Sequence, residues 1–395
     1  MHTRVFVTGV GIISAIGNGT VETLSSLYNL RSGIGRLSLF ESVHSDIPVA
    51  EVKCDNSSLA AMAGVDNYPV RYTRNALLAL NAARQAIDSS GWSDKPALRS
   101  GCIQATTVGG MDYNERYYKS LLKGVNTELL TVLDSADSTE KVAEYFGIRH
   151  YVTTISTACS SSANAIMLGA RLIRNNQLAR VLVGGTDALT KFTLNGFHSL
   201  EILSPTGCRP FDSGRNGLTI GEGAAALVLE SEYTADPRRI LCEISGYTNV
   251  NEAYHQTASS ADGSGAWLAM TGALDVAALN ANEIGYINAH GTGTEINDLS
   301  EGRAIDRLFD NALPSVSSTK AFTGHTLGAA GAVEAVFSVL ALKDQVAWAG
   351  LNITGYMPEL RFKPVSKVTH RPIRHVMSNS FGFGGNNTSL IFSSL

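Results

Sequence analysis

Tyr151-Val152-Thr153-Thr154-Ile155 runs into Ser156-Thr157-Ala158-Cys159-Ser160-Ser161-Ser162, and an apolar, alanine-rich stretch follows from Ala163 to Leu172. A β-branched run, a cluster of small residues and a helix-forming stretch spell strand, sharp turn, helix, with Cys159 at or near the helix N-terminus. Unpaired N–H groups and the positive dipole end of that helix favour a thiolate. Small neighbours leave room for a carbonyl to approach the sulfur. Burial as an inert core residue is the commoner fate of a lone intracellular cysteine, so a reactive Cys159 needs partners elsewhere in the chain.

Two histidine motifs supply them. Asn288-Ala289-His290-Gly291-Thr292-Gly293-Thr294 follows the apolar run Ile284-Gly285-Tyr286-Ile287, which puts His290 at a strand end beside ligand-binding hydroxyls. Lys320-Ala321-Phe322-Thr323-Gly324-His325 follows Ser315-Val316-Ser317-Ser318, another strand, and opens a small-residue helix from Gly328 to Leu342. One histidine beside glycine is usually a satisfied loop residue. Two at strand-end turns, with a cysteine at a third, match the way nucleophiles and their partners lie far apart in sequence and close in space.

Five separated motifs now resemble one family: the β-ketoacyl-(acyl carrier protein) synthases, Cys-His-His condensing enzymes of types I and II in the thiolase superfamily. The similarity runs from Val5-Phe6-Val7-Thr8-Gly9-Val10-Gly11 to Ser378-Asn379-Ser380-Phe381-Gly382-Phe383-Gly384-Gly385-Asn386-Asn387. It includes Gly184-Gly185-Thr186-Asp187 and the stretch from Arg209-Pro210-Phe211-Asp212 through Gly221-Glu222-Gly223-Ala224. The resemblance implies the α/β thiolase fold. In that fold two similar halves, each with a mixed five-stranded sheet, are layered helix-sheet-helix-sheet-helix. We expect residues 1–240 to form the half carrying Cys159, and 241–395 the half carrying both histidines.

The activity implied is decarboxylative Claisen condensation. An acyl group held on Cys159 is joined to malonyl-acyl carrier protein, giving β-ketoacyl-acyl carrier protein and carbon dioxide, in fatty acid or specialised polyketide or polyene synthesis. By resemblance, the backbone N–H groups of Cys159 and Phe383 form the oxyanion hole, and His290 and His325 donate to the enolate. Lys320 pairs with Glu334 to organise the histidines. Thr292 and Thr294 bind the pantetheine arm, while Phe381 and Phe383 line the site, the latter as a gate. Acyl-tunnel walls are sought among Gly109, Gly110, Met111, Phe197, His198 and Leu203. Departures from the family pattern fall at Asn386, usually threonine, and Asn216, commonly aspartate.

Other readings use the same residues. A thiolase would carry a second reactive cysteine near its C-terminus, whereas this chain has none after Cys242. A cysteine hydrolase needs no second histidine. The remaining alternative is a non-catalytic, chain-length-determining subunit of a heterodimeric synthase, in which the nucleophile is normally lost.

Composition bounds the rest. With 395 residues the chain is long for one simple core, and two intimately packed halves are expected. The cysteines at 54, 102, 159, 208 and 242 have neither zinc spacing nor a disulfide framework, which suits a reducing cytoplasm. Arg4 and the apolar run to Ile16 read as a first core strand interrupted by glycine rather than a signal peptide. No apolar run reaches the roughly 18 to 20 residues of a membrane span.

Net charge is −4, which gives no case for nucleic-acid binding. It also means that an acidic carrier protein needs a local basic patch, with Arg71, Arg74 and Arg209 the first candidates and Lys119 and Lys123 behind them. No bound cofactor and no metal are expected, because phosphopantetheine arrives on the carrier. Family members pair as homodimers, a strand of each first half meeting its counterpart near the cysteine, and a heterodimer with a related subunit is the other arrangement implied.

Overall fold

The computed structural model describes residues 3–65, 71–92 and 98–395. Its first strand, β1 (Val5–Ser14), is buried at every position. Glycines interrupt it because a helix crosses at backbone contact. A Cβ on Gly9 would lie 2.2 Å from the carbonyl of Ala86, and one on Gly11 2.0 Å from that of Ala82. Both carbonyls belong to α1 (Arg74–Ser90), capped by Thr73, whose side chain accepts from Ala76 N–H.

The remaining main strands of the first half are β2 (Ser100–Ala105), β3 (Tyr151–Ile155), β4 (Arg180–Asp187) and β5 (Gly223–Ser231). Those of the second are β6 (Cys242–Asn251), β7 (Ile284–Asn288), β8 (Ser315–Ser317), β9 (His375–Gly382) and β10 (Asn386–Ser393). Their path is β3-β2-β4-β5-β1-β6-β10-β9-β7-β8. Read inward from either edge, the strands of each half follow one order: third, second, fourth, fifth, first. Strand senses repeat as well. β2 is parallel to β3 and β4, and β7 to β8 and β9. The pairs β4–β5, β5–β1, β9–β10 and β10–β6 are antiparallel. The duplication that no sequence identity betrays is therefore explicit in the topology. The two five-stranded sets are joined by only two register pairs, Phe6 with Glu243 and Val7 with Cys242.

Two helices occupy the central layer. α2 (Ser161–Arg174) follows β3, and α4 (Ala330–Asp344) follows β8. α4 is buried on all sides from Ala330 to Leu342, as a helix sandwiched between sheets must be. The outer layers are α1 on the first sheet and α3 (Ser264–Ala277) on the second. Apolar clusters fill each interface, the largest combining β1, α2 and α4 through residues such as Val7, Ile166, Val333 and Phe337.

The central helices meet at their N-terminal ends. A Cβ on Gly331 would lie 2.6 Å from Ala163 N, and Ser162 Oγ accepts from Ala332 N–H at 2.8 Å. This contact accounts for the small residues after Cys159. Ser160, Ser161 and Ser162 are fully buried, so they serve the helix crossing and the turn rather than open space for a substrate.

Candidate active site

Cys159 stands on an elbow. Ala158 immediately before it has φ of 53°, a left-handed conformation tolerated here by a single methyl group. Ser161 holds the turn: its Oγ accepts from Thr157 N–H at 2.8 Å and donates to Ala158 O at 2.5 Å. Cys159 is 6 % exposed and sits two residues ahead of α2. Burial pushes the thiol up to about 11, against the charge of Lys320 and the peptide N–H groups of Phe383 and Cys159, which favour the anion. The thiolate expected from the helix terminus is thus corrected. Desolvation outweighs the dipole, and the resting group is a thiol.

The segment between β8 and α4 carries Lys320, which opens a one-turn helix (Lys320–Thr323), and then His325, while the loop after β7 carries His290. Ligating atoms of Cys159, His290 and His325 all lie within 4.8 Å of one another. The two imidazoles meet edge to face, with centroids 5.3 Å apart. His325 is clasped by the first half: its N–H donates to Thr219 O at 2.7 Å and its carbonyl accepts from Gly221 N–H at 2.9 Å. A Cβ at Gly221 would meet Thr323 O at 2.1 Å, so the glycine of that motif permits the clasp. Cys159 and His325 therefore occupy equivalent turns of the two halves, each between a third strand and a central helix.

Hydrogen bonds assign the ring protons. His325 Nδ1 accepts from Leu327 N–H at 3.1 Å. His290 Nδ1 lies 3.3 Å from Lys320 Nζ, a donor only. Both Nδ1 atoms are acceptors, so both Nε2 atoms carry hydrogen. Burial, reinforced by Lys320, holds both imidazoles well below the usual histidine range and hence neutral. Two neutral N–H donors thus stand beside one sulfur. Lys320 Nζ also donates to His290 O at 2.6 Å and pairs with Glu334, the only ionisable side chain on the buried stretch of α4.

Glu301, on the helix Glu295–Phe309, was not singled out by the sequence reading. It is buried, accepts from His290 N–H at 2.9 Å, Gly291 N–H at 2.8 Å and Asn379 Nδ2 at 3.1 Å, and is pushed up to about 7 by burial. Nothing in its local sequence sets it apart from an ordinary helix carboxylate; only its burial reveals that it holds the histidine loop. Asp187 was noticed as part of a motif but given no role. It accepts from Thr106 and Thr107 hydroxyls at 2.6 Å each and from Gly328 N–H at 2.6 Å, tying the loop after β2 to the histidine segment.

A cavity of about 490 Å³ reaches Cys159, His290 and His325 and is walled by Thr292, Thr294, Phe381 and Phe383. The threonine hydroxyls lie 2.9 Å apart. The Phe381 ring is 6.0 Å from His290, and Phe383 stacks on Phe197 at 6.1 Å. Of the expected tunnel walls only Phe197 lines this cavity. Gly109 and Gly110 pack against the backbone of Val132 and Leu133, while His198 stacks on His44 at 3.9 Å.

The basic residues separate. Arg74 is not a surface cation, contrary to expectation. It is buried against Glu222 at 2.6 Å, with further bonds to Val52 O, Cys54 O and Asn56. Arg71 is exposed and paired with Glu144. Arg209 is half-buried, its backbone beside Gly293 in the histidine loop. Lys119 and Lys123 are exposed.

Sulfur and two imidazoles are also a metal-ligand set, but the donor chemistry is wrong for a cation. Ligating histidines normally donate their second N–H outward. Here both second nitrogens accept, one of them facing an ammonium.

Duplicated α/β halves with Cys159 and His325 at equivalent turns, and His290 on the neighbouring loop after β7, define a condensing enzyme of the thiolase fold. Residues 2–235 match the Beta-ketoacyl synthase N-terminal domain and residues 241–354 the C-terminal domain. The chain is 34 % identical to 3-oxoacyl-[acyl-carrier-protein] synthase 2 of Staphylococcus aureus (strain N315), across 99 % of this chain and 98 % of the relative. It superposes on the ishigamide ketosynthase/chain length factor with TM-score 0.93 and 30 % identity, covering the whole of both chains. A type II ketosynthase solved in complex with its acyl-carrier protein matches with TM-score 0.89 and 26 % identity, again over both whole chains. The chain belongs to the β-ketoacyl synthase family.

Proposed function

We propose that this enzyme joins an acyl group on Cys159 to a malonyl unit delivered by acyl carrier protein. The observation that carries the reading is the pair of neutral Nε2–H donors beside one buried thiol. Acyl transfer to sulfur exchanges one thioester for another, so the proton leaving Cys159 ends on the departing carrier thiol and no net base is consumed. Peptide N–H groups of Cys159 and Phe383 hold the tetrahedral oxyanion. Loss of carbon dioxide from the malonyl thioester then leaves an enolate. Its oxygen takes the two imidazole N–H groups, and its carbon attacks the acyl-enzyme and expels the Cys159 thiolate. Neutral donors fit this step because they stabilise the oxygen without protonating it.

Lys320 and Glu334 hold His290 from behind, and Thr292 and Thr294 meet the pantetheine arm. The phosphopantetheine comes with the carrier, and the protein is read as binding no cofactor of its own. We read Arg71 and Arg209 as the residues that meet an acidic carrier; buried Arg74 is withdrawn from that role. We read 1–240 and 241–395 as the two halves. Retention of Cys159 with both histidines weighs against a chain-length-determining subunit.

A second chain pairs at β3, an edge strand whose β-branched residues are only partly covered, with Val152 39 % exposed. We take the enzyme to be a homodimer, with a heterodimer the other outcome of a mass measurement. The free cysteines among the described residues suit the cytoplasm. No helix among those residues is long and apolar enough to cross a membrane.

Intact-protein mass spectrometry with acyl carriers of graded length and unsaturation tests the reading. A Cys159 adduct is expected, and the best-loaded chain names the substrate class. Cys159→Ala should abolish loading, and Cys159→Gln should keep malonyl decarboxylation. Absence of any adduct on folded, reduced protein would overturn the assignment.

A further inference from the structure

The two oxyanion-hole N–H groups come from segments far apart in the chain, and their separation must be held to a fraction of an ångström. Cys159 belongs to the elbow before α2. Phe383 belongs to the three-residue tip between β9 and β10, where Gly382 pairs in register with Asn386. The tip lies on the elbow: a Cβ on Gly382 would sit 3.1 Å from Thr157 O, 3.2 Å from Cys159 N and 3.3 Å from Ser160 N.

What fastens them is one amide oxygen. Asn386 Oδ1 accepts from Asn164 Nδ2 at 2.9 Å, from Asn249 Nδ2 at 2.7 Å and from Ser160 Oγ at 2.6 Å, a hydroxyl whose single hydrogen is shared with Thr157 O at 2.7 Å. Ser160 is the neighbour of Cys159, Asn164 lies on the first turn of α2, and Asn249 lies on β6. The circuit closes through Asn164 Nδ2 to Thr157 Oγ1 at 2.9 Å, Thr388 Oγ1 to Asn164 Oδ1 at 2.8 Å and Asn249 Nδ2 to Thr388 Oγ1 at 2.8 Å. Asn386 Nδ2 makes only a long contact, 3.5 Å, to Asn249 Oδ1. Its oxygen is the hub of a half-buried polar network in which every named donor finds an acceptor.

We propose that Asn386 is a positioning residue. It pins the β9–β10 tip to the cysteine elbow and thereby sets the distance between the Cys159 and Phe383 peptide N–H groups. The inference rests on the oxyanion hole proposed above. Asn386 touches no reacting atom; it acts through Ser160 and the register of the tip. A threonine at this position carries its oxygen one atom closer to the backbone and reaches fewer of the three donors.

The test compares two reactions of the same sulfur. Acyl transfer from an acyl carrier passes through an oxyanion, whereas alkylation by iodoacetamide does not. Asn386→Ala should slow Cys159 acylation roughly 10- to 100-fold, the scale of a misplaced oxyanion donor, while alkylation changes less than about threefold. Asn386→Thr should fall between the two. Ser160→Ala should give a similar split, and the double variant should be little worse than either single one, because both break one linkage. Equal losses in both reactions would reduce the network to a support of the fold and overturn the proposal, as would unchanged acylation. If Asn386→Ala does not fold, Asn386→Thr and Asn249→Ala carry the same comparison. Failure of the catalytic reading itself would look different, since wild-type protein would then alkylate at Cys159 but never acylate.

Discussion

Lys320 Nζ lies 3.3 Å from His290 Nδ1 and pairs with Glu334 across the same buried space. One cation therefore does two things: it denies His290 a second proton, and it pairs with the only ionisable side chain on the buried stretch of α4. Removing it should be costly. Lys320→Ala leaves Glu334 buried without a partner, and a loss of about 3–5 kcal/mol is expected in denaturant unfolding. Glu334→Gln keeps an acceptor for the ammonium and should cost less than Lys320→Ala.

Neutrality of the two histidines is directly observable. Their folded-state values lie well below 6.5, chiefly through burial. Lowering pH from 8 to 6 should leave two of the nine histidines unprotonated, with hydrogen on Nε2, in nitrogen-detected NMR. Malonyl decarboxylation by Cys159→Gln should stay flat across the same range. A rate that falls with the titration of a group near 6.5 would contradict the donor assignment.

Cys159 should titrate in the opposite region. With the thiol pushed up to about 11, thiolate is the minor form at neutral pH and grows as pH rises. Alkylation by iodoacetamide should accelerate about tenfold per pH unit from 7 to 10, following the thiolate fraction. A plateau near pH 7 would mean that the helix terminus prevails over burial after all.

Gly331 sets two local effects against each other. Glycine to alanine inside a helix normally gains about 1 kcal/mol in propensity. Here the added methyl would sit 2.6 Å from Ala163 N, and overpacking of that kind costs about 1–3 kcal/mol. Gly331→Ala should therefore lower the melting temperature. Because Ala163 opens the helix behind Cys159, it should slow acylation as well.

The arginines separate stability from recognition. Arg74→Leu strands Glu222 in the interior and should destabilise by about 3–5 kcal/mol. Arg71→Glu should leave the melting temperature near wild type. If Arg71 and Arg209 meet the carrier, Arg71→Glu and Arg209→Glu raise KM for carrier-bound substrates, with a salt dependence that free acyl thioesters lack. Equal effects on carrier-bound and free thioesters would remove both from the docking surface.

Local pattern carried far in this chain. Strand, turn and helix around Cys159 were legible because β-branched, small and alanine-rich segments alternate over a few residues. The same holds for the turns bearing His290 and His325. Glu301 was not legible, since a carboxylate on a helix face looks alike whether it meets water or two backbone N–H groups. Arg74 misled for the matching reason: a basic residue before a helix reads as surface until its partner, Glu222, is brought beneath it.

The sequence by itself determined which groups do chemistry and the local element on which each is mounted. Periodicity and turn chemistry act over a few residues and need no partner. Tertiary structure alone decided how those groups behave. It keeps Cys159 a thiol by taking it out of water, puts the ring protons on Nε2 by supplying Leu327 and Lys320, and joins the elbow to the β9–β10 tip through Ser160 and Asn386, 226 residues apart. Desolvation and hydrogen-bond partnership depend on what surrounds a group in space. Phe383 and Asn386 reach the cysteine elbow from the other half of the chain, whereas Leu327 and Lys320 come from the same half as the histidines they serve.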